Sequence, residues 1–283
     1  MIKATTISQA LKDAIKQFAA SPTPGLDAEI LLEHVLSQTK AYLYAHPDKV
    51  LTPVQHQQFV ELVGQRAQGI PIAYLTGRQG FWDLDLLVSK EVLIPRAETE
   101  LLIEIALQLF PAEKACMVAD LGTGSGAIAL AIAYERPNWQ VIAMDNSTAA
   151  IALAKRNADR LKITNIAFVL GDFCESLPER KFDLIISNPP YIASNDPHLK
   201  QGDVRFEPKS ALVAGEDGLE IIRKIAAIAL PYLKSDGYLL LEHGFDQEPQ
   251  VRDILLQAGY VEPVTKQDLA GHPRAIYGKK PSL

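Results

Sequence analysis

The sequence predicts a doubly wound α/β domain preceded by a small helical one, and three observations carry that prediction. Residues 115–133 read as an apolar strand, a glycine turn and an alanine-rich helix. Residues 182–187 read as a second buried strand that runs directly into Asn188-Pro189-Pro190-Tyr191. From there to the carboxyl end, strand-like and helix-like apolar patterns alternate, as helices covering both faces of a mostly parallel sheet require.

In chain order, residues 6–73 read as helices. Leu11, Ile15 and Phe18 fall at helical spacing; Leu26, Ile30, Leu31, His34 and Val35 form a second stripe after the break at residues 21–25; Phe59, Leu62, Val63 and Arg66 form a third. Asp27 suits a first helical turn and Thr52-Pro53 a helix start. Residues 1–73 are therefore expected to be a small helical domain. Residues 74–95 change period around glycines and predict a β-hairpin linker. Residues 96–283 form the α/β domain. It opens with a helix bearing Leu101, Leu102, Ile105, Ala106 and Leu109, with acidic residues in its first turn, where the helix dipole favours them.

Gly122, Gly124 and Gly126 allow a tight turn and close backbone approach to a ligand, with Thr123 and Ser125 between them. The next strand ends at Asp145, 21 residues after Gly124, where a ribose-hydroxyl acceptor sits in a βαβ unit. Gly122-x-Gly124-x-x-Ala127 also satisfies a dinucleotide fingerprint, so the glycines alone do not choose between NAD and S-adenosylmethionine. Asp120, placed to meet a cationic methionine end, favours S-adenosylmethionine. A third strand, 166–170, leads to Asp172 and Phe173, candidates for the adenine amino group and the adenine face; Phe173 reads equally well as a core residue.

The turn at Asn188 weighs further toward a methyl donor. Two prolines fix the backbone and remove two N–H donors, so side-chain and carbonyl acceptors dominate there. The Asn188 side-chain oxygen and the Pro189 carbonyl are expected to accept the two N–H groups of a planar amide or aromatic NH2. Pro190 stiffens the turn, and Tyr191 would stack on the flat group. Such a nitrogen is a poor nucleophile that needs alignment and polarisation, whereas a hydride-transfer enzyme has no use for an NH2 clamp. Residues 192–217 form a long polar stretch of the kind that acts as a lid or specificity element. Helix 218–233, strand 237–242, helix 247–258 and strands near 260–265 and 273–278 complete the pattern.

Composition narrows the partners. The chain of 283 residues is 48% apolar and 22% charged, with no apolar run long enough to span a bilayer and no basic-then-apolar amino terminus, so a soluble protein in the cytoplasm is expected. Residues 1–75 balance six Lys/Arg against six Asp/Glu, which leaves 22 Lys/Arg against 28 Asp/Glu, the whole net charge of −6, on residues 76–283. That balance argues against duplex nucleic-acid binding. Cys116 and Cys174 lie in or beside apparent strands without CxxC or histidine spacing, so inert thiols and no metal site are expected. Monomer is the default.

The chain resembles the peptide chain release factor N5-glutamine methyltransferases, the HemK-like family, over nearly its whole length. The match runs through Gly80-Phe81-Trp82, residues 94–100 (Ile-Pro-Arg-Ala-Glu-Thr-Glu), residues 120–126, residues 188–191, residues 204–208 (Val-Arg-Phe-Glu-Pro) and residues 215–218. Asn-Pro-Pro-Tyr alone is shared with adenine-N6 and other amino-group methyltransferases; the Ile-Pro-Arg and Arg-Phe-Glu-Pro segments narrow the match. The resemblance implies a seven-stranded, Rossmann-like methyltransferase sheet with its last strand antiparallel. It implies S-adenosylmethionine against Gly122 to Gly126, Asp145, Phe173 and Asn188, the glutamine of the release-factor Gly-Gly-Gln loop held by Asn188 to Tyr191, and residues 1–73 as a substrate-recognition domain that grips the release factor. Phe173 stands where family members often have Trp, and Ala97 where Pro is frequent. The rival readings are an adenine-N6 nucleic-acid methyltransferase, a non-catalytic cofactor-binding scaffold and an NAD-linked oxidoreductase.

Overall fold

The computed structural model describes residues 5–18, 21–172, 177 and 181–282. Two compact units emerge from it: residues 1–78 with 198–206, and residues 79–197 with 207–283.

The smaller unit is helical. Helix α1 (Ile7–Gln17) starts where the Thr6 hydroxyl accepts from Gln9 N–H, and α2 (Pro24–Leu36) starts on a proline whose fixed φ suits a first turn. After the short α3 (Lys40–Ala45), α4 (Pro53–Ala67) opens with a capping box between Thr52 and Gln55, and α5 (Ile72–Thr76) closes the series. Their shared core includes Ile7, Leu31, Leu32, Phe59 and Val63. Within it, Arg66 Nε donates to Asp27 at 2.7 Å, with 11% and 6% of the two side chains exposed. Residues 198–206, from the long polar stretch, belong to this unit: Arg66 also reaches Asp203, and Arg205 donates to the Gln68 carbonyl at 3.0 Å.

The larger unit begins with a hairpin of β1 (Arg78–Phe81) and β2 (Leu84–Leu87), turned at Trp82 with φ 54°. Residues 74–76 are helical, and Phe81, Leu84 and Leu86 are buried in the α/β core, so the hairpin packs as part of this unit. The Trp82 N–H donates to Glu100, and its indole N–H to Glu135, both at 2.7 Å. Glu100 and Glu135 lie on α6 (Glu100–Leu109) and α7 (Ala127–Glu135), so the turn is tied to both helices.

Among the described residues, seven strands form the main sheet: β3 (Met117–Leu121), β4 (Gln140–Asp145), β5 (Ile166–Leu170), β6 (Phe182–Ser187), β7 (Leu233–Glu242), β8 (Val261–Gln267) and β9 (Pro273–Lys279). Their order is β5-β4-β3-β6-β7-β9-β8. The first five are parallel, and β9 runs antiparallel between β7 and β8. Remaining helices are α8 (Thr148–Leu161), α9 (Glu220–Ala229) and α10 (Glu248–Gln257). One face of the sheet packs on α6 and α7, through Leu102, Ile103, Leu130 and Ile132; the other packs on α9 and α10, through Ile222, Ile225, Val251 and Leu255. Strand β6 is buried along its whole length because both faces are covered. Helix α9 ends earlier than its sequence pattern suggests: a proline-containing 3-10 turn, Leu230–Tyr232, intervenes, and β7 starts at Leu233.

The strand order reverses between β3 and β6: β4 and β5 extend the sheet on one side of β3, and β6 and β7 on the other. In an open α/β sheet that switch point, at the carboxyl ends of the strands, is where ligands bind.

Candidate active site

The cleft at this switch point is lined by Gly122 and Gly124 from the turn after β3, Asp145 at the end of β4, Asp172 after β5, and Asn188 and Pro190 after β6. Residues 91–93 and Ser210-Ala211 complete its rim.

The glycine turn is held from beneath. Gly122 and Thr123 N–H donate to the Met144 carbonyl at 2.9 and 2.8 Å, and Gly124 N–H donates to Asp145 at 2.9 Å. Gly122, Gly124 and Gly126 have φ of 75°, 57° and 87°, a region that costs other residues roughly 1 kcal/mol or more. A Cβ on Gly122 or Gly124 would meet nothing, because both open onto the cleft; on Gly126 it would press Leu130 at 2.9 Å and Ala154 at 3.2 Å. The first two glycines thus leave open space on the cleft wall, and the third allows close packing between α7 and α8.

Asp120 stands apart from the cleft. It is fully buried under the turn, where one carboxylate oxygen accepts from the Thr123 hydroxyl at 2.6 Å and Ala129 N–H at 3.2 Å. Among the described residues the other oxygen has no hydrogen-bond partner. Burial pushes its carboxyl up to about 7, against the pull of those two hydrogen bonds. Thr123 and Ser125 are likewise buried and serve the turn. Asp145 gives one oxygen to Gly124 N–H and the other to Ser147 N–H, at 2.9 Å each, and still faces the cleft. Asp172 is ion-paired with Lys224 at the rim. Phe173 lies outside the described residues, as does Cys174. Cys116 is buried, and its thiol is raised to about 11 by desolvation, as expected of an inert thiol.

Asn188 borders the cleft with its carboxamide oriented: Nδ2 donates to the Thr99 hydroxyl at 3.1 Å, and Thr99 in turn donates to Glu242 at 2.7 Å. Pro189 is buried beside it. Tyr191 differs from its expected stacking pose. Its hydroxyl donates inward to the other oxygen of Glu242 at 3.0 Å, its ring joins the α9/α10-side core, and burial pushes its phenol well above the usual range.

Sequence reading assigned no role to three residues that shape this site. Thr99 closes the 3-10 turn Ala97–Thr99, and Glu242 ends β7; their contact spans 143 positions. Asn157, fully buried on α8, accepts from Leu87 N–H at 2.7 Å and donates to the Leu87 and Ser125 carbonyls, so it joins the hairpin to the glycine turn. A lone polar residue on an apolar helix face was the available signal. The two segments that narrowed the family resemblance also meet, as Arg96 donates to both oxygens of the buried Glu207 at 2.7 Å.

A model described as the PrmC N-terminal domain matches residues 9–77, and one described as the methyltransferase small domain matches residues 98–204. The release factor glutamine methyltransferase of Xylella fastidiosa is 53% identical over 91% of this chain and 94% of its own length. That of Escherichia coli is 47% identical over 95% and 97%. Among solved structures, a methyltransferase from Pyrococcus furiosus superposes over 71% of this chain and 90% of its own with a TM-score of 0.53 at 19% identity, a likeness of fold. With relatives this similar over almost its entire length, the chain belongs to the release factor glutamine methyltransferase family.

Proposed function

We propose that this protein methylates the side-chain amide nitrogen (N5) of the glutamine in the Gly-Gly-Gln loop of peptide chain release factors, with S-adenosylmethionine as donor. It acts as a monomer in the cytoplasm on a protein substrate, without direct binding to a nucleic-acid duplex. The observation that carries the reading is the oriented Asn188 carboxamide on the same cleft as the open glycine cradle and Asp145.

That cleft suits the donor molecule. Backbone without side chains at Gly122 and Gly124 admits close approach, and Asp145 offers carboxylate acceptors for ribose hydroxyls. When bound, S-adenosylmethionine supplies an activated methyl group on a good leaving group. The protein's own task is to align and polarise the amide. The Asn188 oxygen and the Pro189 carbonyl would accept its two N–H groups, drawing electron density onto nitrogen and orienting its lone pair for methyl transfer. Nitrogen gains a carbon and gives up one proton, to water, as it becomes acidic. Tyr191 contributes by holding the turn rather than by covering the substrate.

Incubating release factor with S-adenosylmethionine and this protein, followed by mass spectrometry, should find one added methyl on the glycine-flanked glutamine. Methyl transfer to DNA adenine but not to release factor would overturn the proposal.

A further inference from the structure

Asn188 works as an acceptor clamp only if its carboxamide oxygen, and not its NH2, faces the substrate. The two ends are nearly isosteric and exchange by rotation about one terminal torsion, so some neighbour must select the orientation. Here that neighbour is Thr99, which accepts from Asn188 Nδ2 at 3.1 Å and donates to Glu242 at 2.7 Å. A threonine hydroxyl carries one proton. Once that proton is committed to a carboxylate, the hydroxyl oxygen can only accept, and only the NH2 end of Asn188 satisfies it.

We propose that Glu242, acting through Thr99, is a positioning residue that sets the polarity of the Asn188 clamp. Ionised, it compels the Asn188 oxygen toward the cleft. Protonated, it donates to Thr99, frees the threonine proton for the Asn188 oxygen, and lets the NH2 turn to face the substrate. This rests on the reading of Asn188 as the acceptor for the substrate amide. Glu242 also accepts from the Tyr191 hydroxyl at 3.0 Å, so one carboxylate braces both ends of the Asn188–Tyr191 turn.

Glu242 is 1% exposed, and desolvation raises its carboxyl to about 7 against the hydrogen bonds of Thr99 and Tyr191 and the charge of Arg274. The ionisable groups that act on Glu242 are Glu98 from the segment before α6, Tyr191 from the turn after β6 and Arg274 from β9, with His243 next along the chain; Arg96 acts on Tyr191. Glu98 reinforces the upward shift. Burial raises Tyr191 and lowers His243, so both stay neutral near pH 7. The switch therefore falls to Glu242.

The test compares wild type with T99V, T99S and E242Q in single-turnover methylation of release factor at saturating S-adenosylmethionine, with cofactor affinity measured by calorimetry. T99V should lose roughly tenfold to a hundredfold in turnover with cofactor affinity within about twofold, the pattern of a group felt in the transition state. T99S, which keeps the hydroxyl, should recover most of that loss. Wild-type turnover should climb as pH rises through about 7, and E242Q, which cannot titrate, should lack that limb. T99V within about twofold of wild type, T99S as slow as T99V, or superposable pH profiles for wild type and E242Q would each overturn the inference. Should E242Q fail to fold, the Thr99 pair decides. A readout independent of substrate identity separates this inference from the functional reading. In the free protein, the Asn188 side-chain NH2 resonances should shift with a midpoint near pH 7 in wild type, and in T99V that transition should vanish. An unchanged transition in T99V overturns the relay even if release factor is methylated.

Discussion

Replacing Asn188 with Ala should slow methyl transfer far more than it weakens the cofactor or the fold. The loop backbone stays pinned by Pro189 and Pro190, so the change removes one acceptor from the cleft wall and little else. As nitrogen gains positive character its N–H bonds become stronger donors, and loss of one preorganised partner of this kind costs about 2 to 4 kcal/mol, roughly 30- to 1,000-fold in rate. The stability cost is smaller, about 1 kcal/mol for one hydrogen bond. Thr99 keeps its 2.7 Å bond to Glu242, so no buried donor is orphaned. The Gly124–Asp145 contact is untouched, and cofactor affinity should change by less than about threefold. The decisive assay is a single turnover at saturating S-adenosylmethionine, beside calorimetric cofactor binding and a melting curve. A turnover rate within about threefold of wild type would refute the clamp, as would a loss fully explained by weaker cofactor binding.

Three further outcomes follow from other parts of the molecule. The raised Asp120 carboxyl adds stability that is complete below the unfolded value of 3.8 and is lost as pH rises through about 7. Melting of wild type relative to D120N should therefore drop between acid and alkaline buffer, by on the order of 4 kcal/mol at most, and a constant difference across pH would contradict that burial. G126A places a methyl at φ 87° against Leu130 and Ala154 and should destabilise by about 2 to 4 kcal/mol in denaturant titrations, whereas a neutral effect would show that α7 shifts freely. R66M strands the buried Asp27 charge, partly relieved by the Ser21 and Thr23 hydroxyls, and should cost about 3 kcal/mol, seen as faster amide exchange in α2 and α4; unchanged exchange would make the pair ornamental.

Much of the fold was readable because its signals are local. An apolar run ending in Gly122 announces a strand and its turn, and Asp145 and Asn188 sit at strand ends that periodicity alone locates. What stayed hidden depends on register between distant segments. Glu242 closes β7 like any solvent-facing strand end, and only the pairing of β7 beside β6 brings it under Thr99 and Tyr191. Asp120 was expected to meet a ligand's charge, yet strand alternation turns it under the glycine turn, where Thr123 takes it up. The hairpin was read as a linker because glycines surround it; Leu84 and Leu86 alternate inward and bury it in the larger unit. Residues 198–206 carry no apolar stripe, so nothing in them announces that they belong with helices more than a hundred positions earlier.

That last feature has a practical outcome for anyone cutting or grafting this chain. Severing it after residue 78 does not yield two self-sufficient pieces, since Asp203 and Arg205 would be left behind without Arg66 and Gln68. A chimera that borrows the front helices of a homologue must transplant residues 198–206 with them, and natural recombination between such genes faces the same requirement.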